Sequence, residues 1–100
     1  MKIKKIKKLN INSKEFTVRW DYRGGGYFSM GERVIGLDSS IGDDILLEII
    51  AHELMEIVLV EMHVRLDRPD VMEDYIFVYD HRQFATAMSM FTGLFKQFIK

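Results

Sequence analysis

The sequence contains no cysteine among its 100 residues. That absence excludes a disulfide scaffold, a thiolate zinc site and a cysteine nucleophile, and it is typical of a reducing compartment such as the cytoplasm. There is a single proline, and no low-complexity segment or linker interrupts the chain, so we expect one domain over residues 1–100. No apolar run is long enough to span a bilayer, and the basic first residues lack the apolar core of a secretory signal. We therefore expect no membrane association.

The net charge of −1 hides an uneven distribution of charge along the chain. Residues 1–37 carry nine Lys or Arg against three acids, whereas residues 38–100 carry five against twelve. The lysines between positions 2 and 8 suit the edge of a sheet, where they discourage pairing with other chains. Because no aromatic-basic motif accompanies them, we do not expect nucleic-acid binding.

The pattern of apolar residues predicts strands in the first third of the chain. A strand is expected over residues 3–11, turn residues follow, and strict alternation predicts a half-buried partner strand over 15–22, so the pair indicates a β-hairpin. The glycines at 24–26 predict a mobile loop between strands, close to a possible site. A third strand, or two short ones, is expected over 27–37.

Two helices are predicted in the remainder of the chain. The first runs from residue 41 until just before residue 67, with Ser40 and Asp43 as a capping box. Residues 70–80 are ambiguous, and we expect a loop with a short extended piece there.

The last helix is expected over residues 81–99, with Asp80 as its N-cap. His81 begins an apolar stripe that we expect to face the core, and the stripe continues through Phe84, Met88, Phe91, Phe95 and Phe98. The predicted fold is therefore α+β: a small, mostly antiparallel sheet packed on the first long helix, completed by a C-terminal helix.

Three polar residues with the spacing of metal ligands lie in the middle of the first helix. His52 and Glu56 are four residues apart and so project from one face, while Glu53 lies about 100° round from His52. Nearly every other position over 45–60 is apolar, so we expect the helix to be covered on several sides. Burial of one imidazole and two carboxylates there is costly unless they are paired or ligate a metal.

His81 supplies a second imidazole at the start of the last helix. Two histidines and one carboxylate, with a fourth position open, are a standard ligand set for catalytic zinc. His52, Glu56 and His81 are therefore the predicted zinc ligands. Glu53, next to the first ligand, is placed to act as the general base.

At these residues the chain resembles the minimal, gluzincin-like members of the zincin metallopeptidases. The matching segments are ERVIGLDSS, LLEIIAHELMEIVLVEMHV and DHRQFATAMSMF, which together cover roughly residues 30–100. In that family the helix carries HExxH and a later helix supplies an acidic ligand. Here Glu56 stands at the second histidine position and His81 where the later acid would fall, so two ligand types are exchanged.

The resemblance implies a zinc-dependent, peptidase-like hydrolase that acts on a peptide or protein. It also implies that a strand edge near the helix receives the substrate as an added strand, with residues 32–37 as the candidate. The competing hypothesis is a non-catalytic binding or regulatory module that keeps the zincin scaffold, with or without a structural metal. A chain this short has little room for a cleft, which favours that module or a homo-oligomer.

Other roles for the motif residues remain open. His52 and Glu56 can form an intrahelical pair without a metal. Glu53 can face a basic strand residue such as Arg19 or Arg33. His81 can be a helix cap or a satisfied core residue.

Several further polar residues are weighed beside the motif. Asp80, Glu73 and Asp74 are reserve ligands. His63 lies two turns beyond Glu56, so we expect it at the surface or in a helix cap. Glu48, one turn before His52, can accept a hydrogen bond from the imidazole.

Overall fold

The computed structural model describes residues 2–67 and 75–100. The elements are, in chain order, β1 (Lys8–Ile11), β2 (Lys14–Arg19), β3 (Asp21–Ser29), β4 (Val34–Asp38), α1 (Asp43–Glu61), β5 (Arg65–Asp67), β6 (Tyr75–Phe77) and α2 (His81–Gln97). One sheet has the strand order β1-β2-β4-β3, and only its β2–β4 pairing is parallel. β5 and β6 form a separate antiparallel ribbon. The predicted α+β class, with a mostly antiparallel sheet and two helices, is confirmed.

The predicted hairpin is formed by β1 and β2. Asn12 and Ser13 connect the strands, and both have positive φ, 46° and 68°. A two-residue loop of this kind matches the right-handed twist of the strands, and Asn tolerates the left-handed region well. Phe16 and Val18 point into the core, as their alternation predicts. β1 lies at the edge of the sheet, and the lysines at and before its start suit this exposed position.

The glycine-rich stretch lies within β3, so the prediction of a loop between strands is wrong. The pairing of β3 with β4 jumps from Asp21 opposite Asp38 to Gly26 opposite Leu37, and residues 22–25 bulge out between these pairs. Gly24 and Gly25 have φ values of 137° and 97°, which side chains rarely adopt. The glycines therefore form a bulge and do not end the strand.

Helix α1 begins at Asp43 without the predicted capping box. Its N-cap is Gly42, and no side chain caps it. The Ser40 hydroxyl donates instead to Asp38, which removes it from the helix N-terminus. Asp43 and Asp44 do lie in the first turn, where negative charge complements the helix dipole.

Helix α1 ends at Glu61, earlier than predicted. His63 takes φ 60°, its N–H donates to the carbonyl of Val60, and the N–H of Val64 donates to the carbonyl of Leu59. These two bonds form a Schellman motif with histidine in the left-handed position that glycine usually occupies. The predicted stop at Pro69 lies outside the described residues.

Helix α2 is capped as predicted. The Asp80 carboxylate accepts from the N–H of Gln83, and the Gln83 side chain accepts from the N–H of Asp80. The predicted stripe is wrong over the first turns, because His81, Phe84 and Met88 are exposed. The stripe that faces the core begins at a smaller residue, Ala87, and continues at spacings of four, three and four. Its members are Ala87, Phe91 (partly buried), Leu94 and Phe98.

The core lies between the sheet and the two helices. α1 packs against β3, β4 and α2, and α2 also packs against β1. The Gln97 side chain donates to and accepts from the backbone of Asn10, which fixes the end of α2 to β1. Of the helices in the described part of the chain, none has the length and apolarity needed to cross a membrane.

Candidate metal centre

His52, Glu53 and Glu56 lie together on α1, as the motif predicts. Nε2 of His52 is 2.5 Å from Oε2 of Glu56, and one ligand atom from each of the three residues lies within 4.8 Å of the others. Two atoms that ligate one zinc ion tetrahedrally at about 2.1 Å lie about 3.4 Å apart. Metal binding at this group would therefore move Nε2 of His52 and Oε2 of Glu56 apart and would place both on the same cation.

The three side chains differ in burial because α1 keeps one side open to solvent. The side chain of His52 is 68% exposed and that of Glu56 is 23% exposed, whereas Glu53 is 8% exposed. Ile45 and Glu48 share the exposed side with His52. The expectation of a helix covered on several sides is therefore wrong at His52, and Glu53 is the motif residue that enters the interior.

Burial raises the pKa of Glu53 above its ordinary value. The negative charge of Glu56 raises this pKa further, and the nearby imidazole of His52 opposes both effects. Arg19 pairs with Asp21, and neither Arg19 nor Arg33 is among the groups whose charge acts on Glu53. The alternative in which Glu53 faces Arg19 or Arg33 is therefore wrong.

Glu53 and Glu56 line an open cavity of about 690 Å³ between α1 and β3. Its other walls come from residues of β3, the turn after it and β5, namely Gly26, Tyr27, Phe28, Met30 and Arg65. The lack of a side chain at Gly26 brings this wall close to the helix. A Cβ there would lie 2.6 Å from Cγ2 of Ile49 and 3.3 Å from Cγ of Glu53. The glycine run in the sequence is the signal for this close approach.

The strand next to the cavity is β3, and not the range 32–37 that we expected to receive substrate. Most of that range belongs to β4, which pairs with β2 on one side and with β3 on the other. A strand paired on both sides has no edge to offer to a peptide. β3 lies at the edge of the sheet and lines the cavity.

His81 is not in the group of ligand atoms within 4.8 Å of one another. It is exposed at the start of α2, where its ring lies 6.4 Å from that of Phe84. The group that the structure assembles thus has one imidazole and two carboxylates, where the sequence predicted two imidazoles and one carboxylate.

The remaining candidates have other positions. Asp80 is engaged as the cap of α2, and Glu48 is exposed. His63 lies in the cap of α1, which confirms its predicted place. The reserve ligands Glu73 and Asp74 lie outside the described residues.

The donors suit a divalent cation. Imidazole nitrogen and carboxylate oxygen both ligate such ions in proteins, and a larger share of carboxylates favours harder ions relative to zinc. A cation would also offset the negative charges of Glu56 and of the buried Glu53. The cavity leaves the group accessible to solvent and to a ligand.

No protein-family model, curated protein or solved structure matches this chain. The resemblance to the zincins therefore depends on the motif segments and on the His52–Glu53–Glu56 group.

Proposed function

We propose that this chain is a zinc-dependent hydrolase of peptide bonds in which His52 and Glu56 hold the metal and Glu53 is the general base. One observation carries the proposal: Nε2 of His52 and Oε2 of Glu56 lie 2.5 Å apart, an oxygen of Glu53 lies within 4.8 Å of ligand atoms of both residues, and the two glutamates line an open cavity. When bound, zinc would lower the pKa of a coordinated water and polarise a carbonyl group.

Glu53 has the environment that a general base requires. Its burial and the charge of Glu56 raise its pKa above the ordinary value, against the opposing effect of His52, and a higher pKa makes the carboxylate a better proton acceptor. In the proposed reaction it accepts the proton of the attacking water and then donates it to the nitrogen of the leaving amine. His52 and Glu56 lie one helical turn apart on α1, and this spacing lets both side chains bind the same metal ion.

β3 offers a place for the peptide. An extended peptide can add to the edge of a sheet through main-chain hydrogen bonds. β3 is an edge strand, and three of its residues line the same cavity as Glu53 and Glu56, with Phe28 and Met30 as apolar parts of the wall. In the proposed complex, a peptide added to this strand places a backbone carbonyl beside the two glutamates.

A second candidate function is a non-catalytic metal-binding module. It is favoured by the position of the Glu53 carboxylate, which has an oxygen within 4.8 Å of ligand atoms of His52 and Glu56 and so could serve as a third ligand. If Glu53 ligates the metal, no base remains on α1 beside it.

The variant Glu53→Gln separates the two functions. If Glu53 is the base, the variant keeps its zinc affinity in calorimetric titration and loses hydrolysis of a mixed peptide library, typically by a factor of at least ~100. Asp44→Asn is the matched control, because Asp44 is an exposed acid in the first turn of the same helix, eight residues before His52, and it should change neither property.

Three results would count against the proposal. Loss of zinc binding in Glu53→Gln would make this residue a ligand and favour the binding module. Zinc binding by the unaltered protein without hydrolysis of any peptide would exclude the enzyme. Unchanged hydrolysis in Glu53→Gln would exclude the assigned base.

A further inference from the structure

Asp38 is a buried carboxylate at the end of β4 that lies outside the metal group. It is 7% exposed. Four donors reach it: the N–H and the hydroxyl of Ser40 (3.0 and 2.5 Å), the N–H of Gly24 (3.3 Å) and the guanidinium of Arg23 (3.4 Å). A carboxylate accepts such a set well, because both oxygens carry negative charge and neither needs to donate.

These donors come from two separate segments of the chain. Arg23 and Gly24 belong to the bulge of β3, while Ser40 belongs to the turn that leads from β4 into α1. One carboxylate therefore ties the bulge to the start of the helix. Residues 22–25 fall between the ladder pairs of β3 and β4, so contacts outside that pairing, such as those of Asp38 and the edge-on contact of Tyr22 with Tyr27, hold the bulge in place.

The bulge in turn contacts the helix face that carries Glu53. A Cβ at Gly25 would lie 4.0 Å from Cδ1 of Ile49, and one at Gly26 would meet both Ile49 and Glu53. The backbone at Gly26 is thus one wall of the space in which the Glu53 side chain lies. A shift of the bulge would change that space without altering any motif residue.

We propose that Asp38 is a positioning residue for Glu53: through Gly24 it fixes the β3 bulge against α1, and through Ser40 it fixes the start of the same helix. This inference rests on the proposed function in one respect: it takes the Glu53 carboxylate to be part of the metal site. The contacts themselves are independent of any metal.

The decisive variants are Asp38→Asn, Ser40→Ala and Ser40→Thr. Asparagine keeps the shape but turns one acceptor into a donor that faces other donors, and alanine removes the Ser40 hydroxyl. Threonine keeps that hydroxyl and should behave as the unaltered protein. Asp21→Asn is the matched control, because Asp21 is an exposed aspartate at the other end of the same bulge.

The first measurement uses the metal alone as the probe. Zn²⁺ affinity by calorimetry and the visible absorption of bound Co²⁺ are recorded for each variant, with far-ultraviolet circular dichroism as the test of folding. We expect Asp38→Asn and Ser40→Ala to lose roughly tenfold in affinity, as is typical of residues that orient ligands, and to change the Co²⁺ spectrum. Asp21→Asn and Ser40→Thr should change neither.

The second measurement needs no metal. The ¹³Cδ chemical shift of Glu53 and the hydrogen exchange of the Gly26 amide are compared by NMR in the metal-free variants. Asp38→Asn and Ser40→Ala should shift the Glu53 resonance and speed exchange at Gly26. An unchanged Glu53 resonance in both folded variants would overturn the positioning role. Failure of the unaltered protein to bind Zn²⁺ or Co²⁺ would instead overturn the proposed function and leave the NMR result to decide the positioning.

Discussion

At the scale of single residues, Asp38 links stability to pH. The Ser40 hydroxyl, more than any other contact, holds the pKa of Asp38 below its ordinary value, with the N–H groups of Ser40 and Gly24 and the charge of Arg23 acting in the same direction against burial. A carboxyl whose pKa is lower in the folded state stabilises the fold above its unfolded-state pKa. That stability is lost as pH falls through the lower, folded-state pKa.

We therefore predict that Asp38→Asn is less stable than the unaltered protein at pH 7 and that the difference narrows as pH falls below about 5. Urea unfolding at several pH values measures this. Asp21→Asn should leave the acid dependence in place, and a difference for Asp38→Asn that stays constant from neutral to acidic pH would contradict the assignment.

His63 is a residue whose backbone conformation is unfavourable for its side chain. Its φ of 60° closes α1, and a left-handed conformation costs an L-residue roughly 1–2 kcal/mol relative to glycine. We predict that His63→Gly raises the free energy of unfolding by about 1 kcal/mol, measured by chemical denaturation. His63→Ala keeps a Cβ in the same conformation and should give no such gain. Equal stability of the glycine and alanine variants would show that the backbone there is not strained.

At the scale of elements, mutations in α2 test whether the stripe that contains Leu94 or the predicted stripe that contains Phe84 is buried. Leu94 is 3% exposed, whereas Phe84 is 46% exposed. Leu94→Ala should cost about 2–5 kcal/mol through loss of burial and a residual cavity. Phe84→Ala, although it removes a larger side chain, should cost under about 1 kcal/mol, since its ring contacts the rings of two exposed residues, Tyr79 and His81. Thermal or urea unfolding of both variants compares them directly, and a larger loss for Phe84→Ala would restore the stripe predicted from the sequence.

The sequence predicts an element well where local chemistry decides its geometry. Asn12 and Ser13 suit a tight hairpin turn, and Asp80 with Gln83 forms a capping box from side chains three residues apart. It fails where distant contacts decide. Ser40 has the spacing of a helix cap, yet a buried carboxylate competes for its hydroxyl. Ala87 is less hydrophobic than Phe84, so the apolar pattern favours Phe84 as the core residue, yet Ala87 is buried and Phe84 is exposed.

The predictions for the end of α1 and for the glycine-rich stretch of β3 were wrong for a related reason. Histidine is a rare residue at the left-handed position after a helix, so His63 gave no stop signal. The glycine run signals freedom from normal backbone limits, but it does not distinguish a loop from a bulge. The pairing of Gly26 with Leu37 makes that distinction, and it depends on the whole sheet.

At the scale of the whole molecule, strand order places the site. β4 lies between β2 and β3, although β3 precedes it in the chain. Apolar alternation gives the faces of a strand but not its neighbours, so the sequence could not identify β3 as the edge strand beside α1. The motif spacing did predict that His52, Glu53 and Glu56 lie together, because one helix fixes their relation. The predicted contribution of His81 needed two helices to meet at that point, and the structure does not place it in the group.

Zinc content decides whether His52, Glu53 and Glu56 hold a metal ion. Protein purified without added metal is analysed for elemental composition, together with His52→Ala and His81→Ala. We predict about one zinc per unaltered chain, its loss in His52→Ala, and an unchanged content in His81→Ala, since among the described residues the structure groups His52 with Glu53 and Glu56 and not with His81. Loss of zinc in His81→Ala would restore the two-histidine ligand set. An unaltered protein that carries no zinc and takes up none on titration would contradict the account.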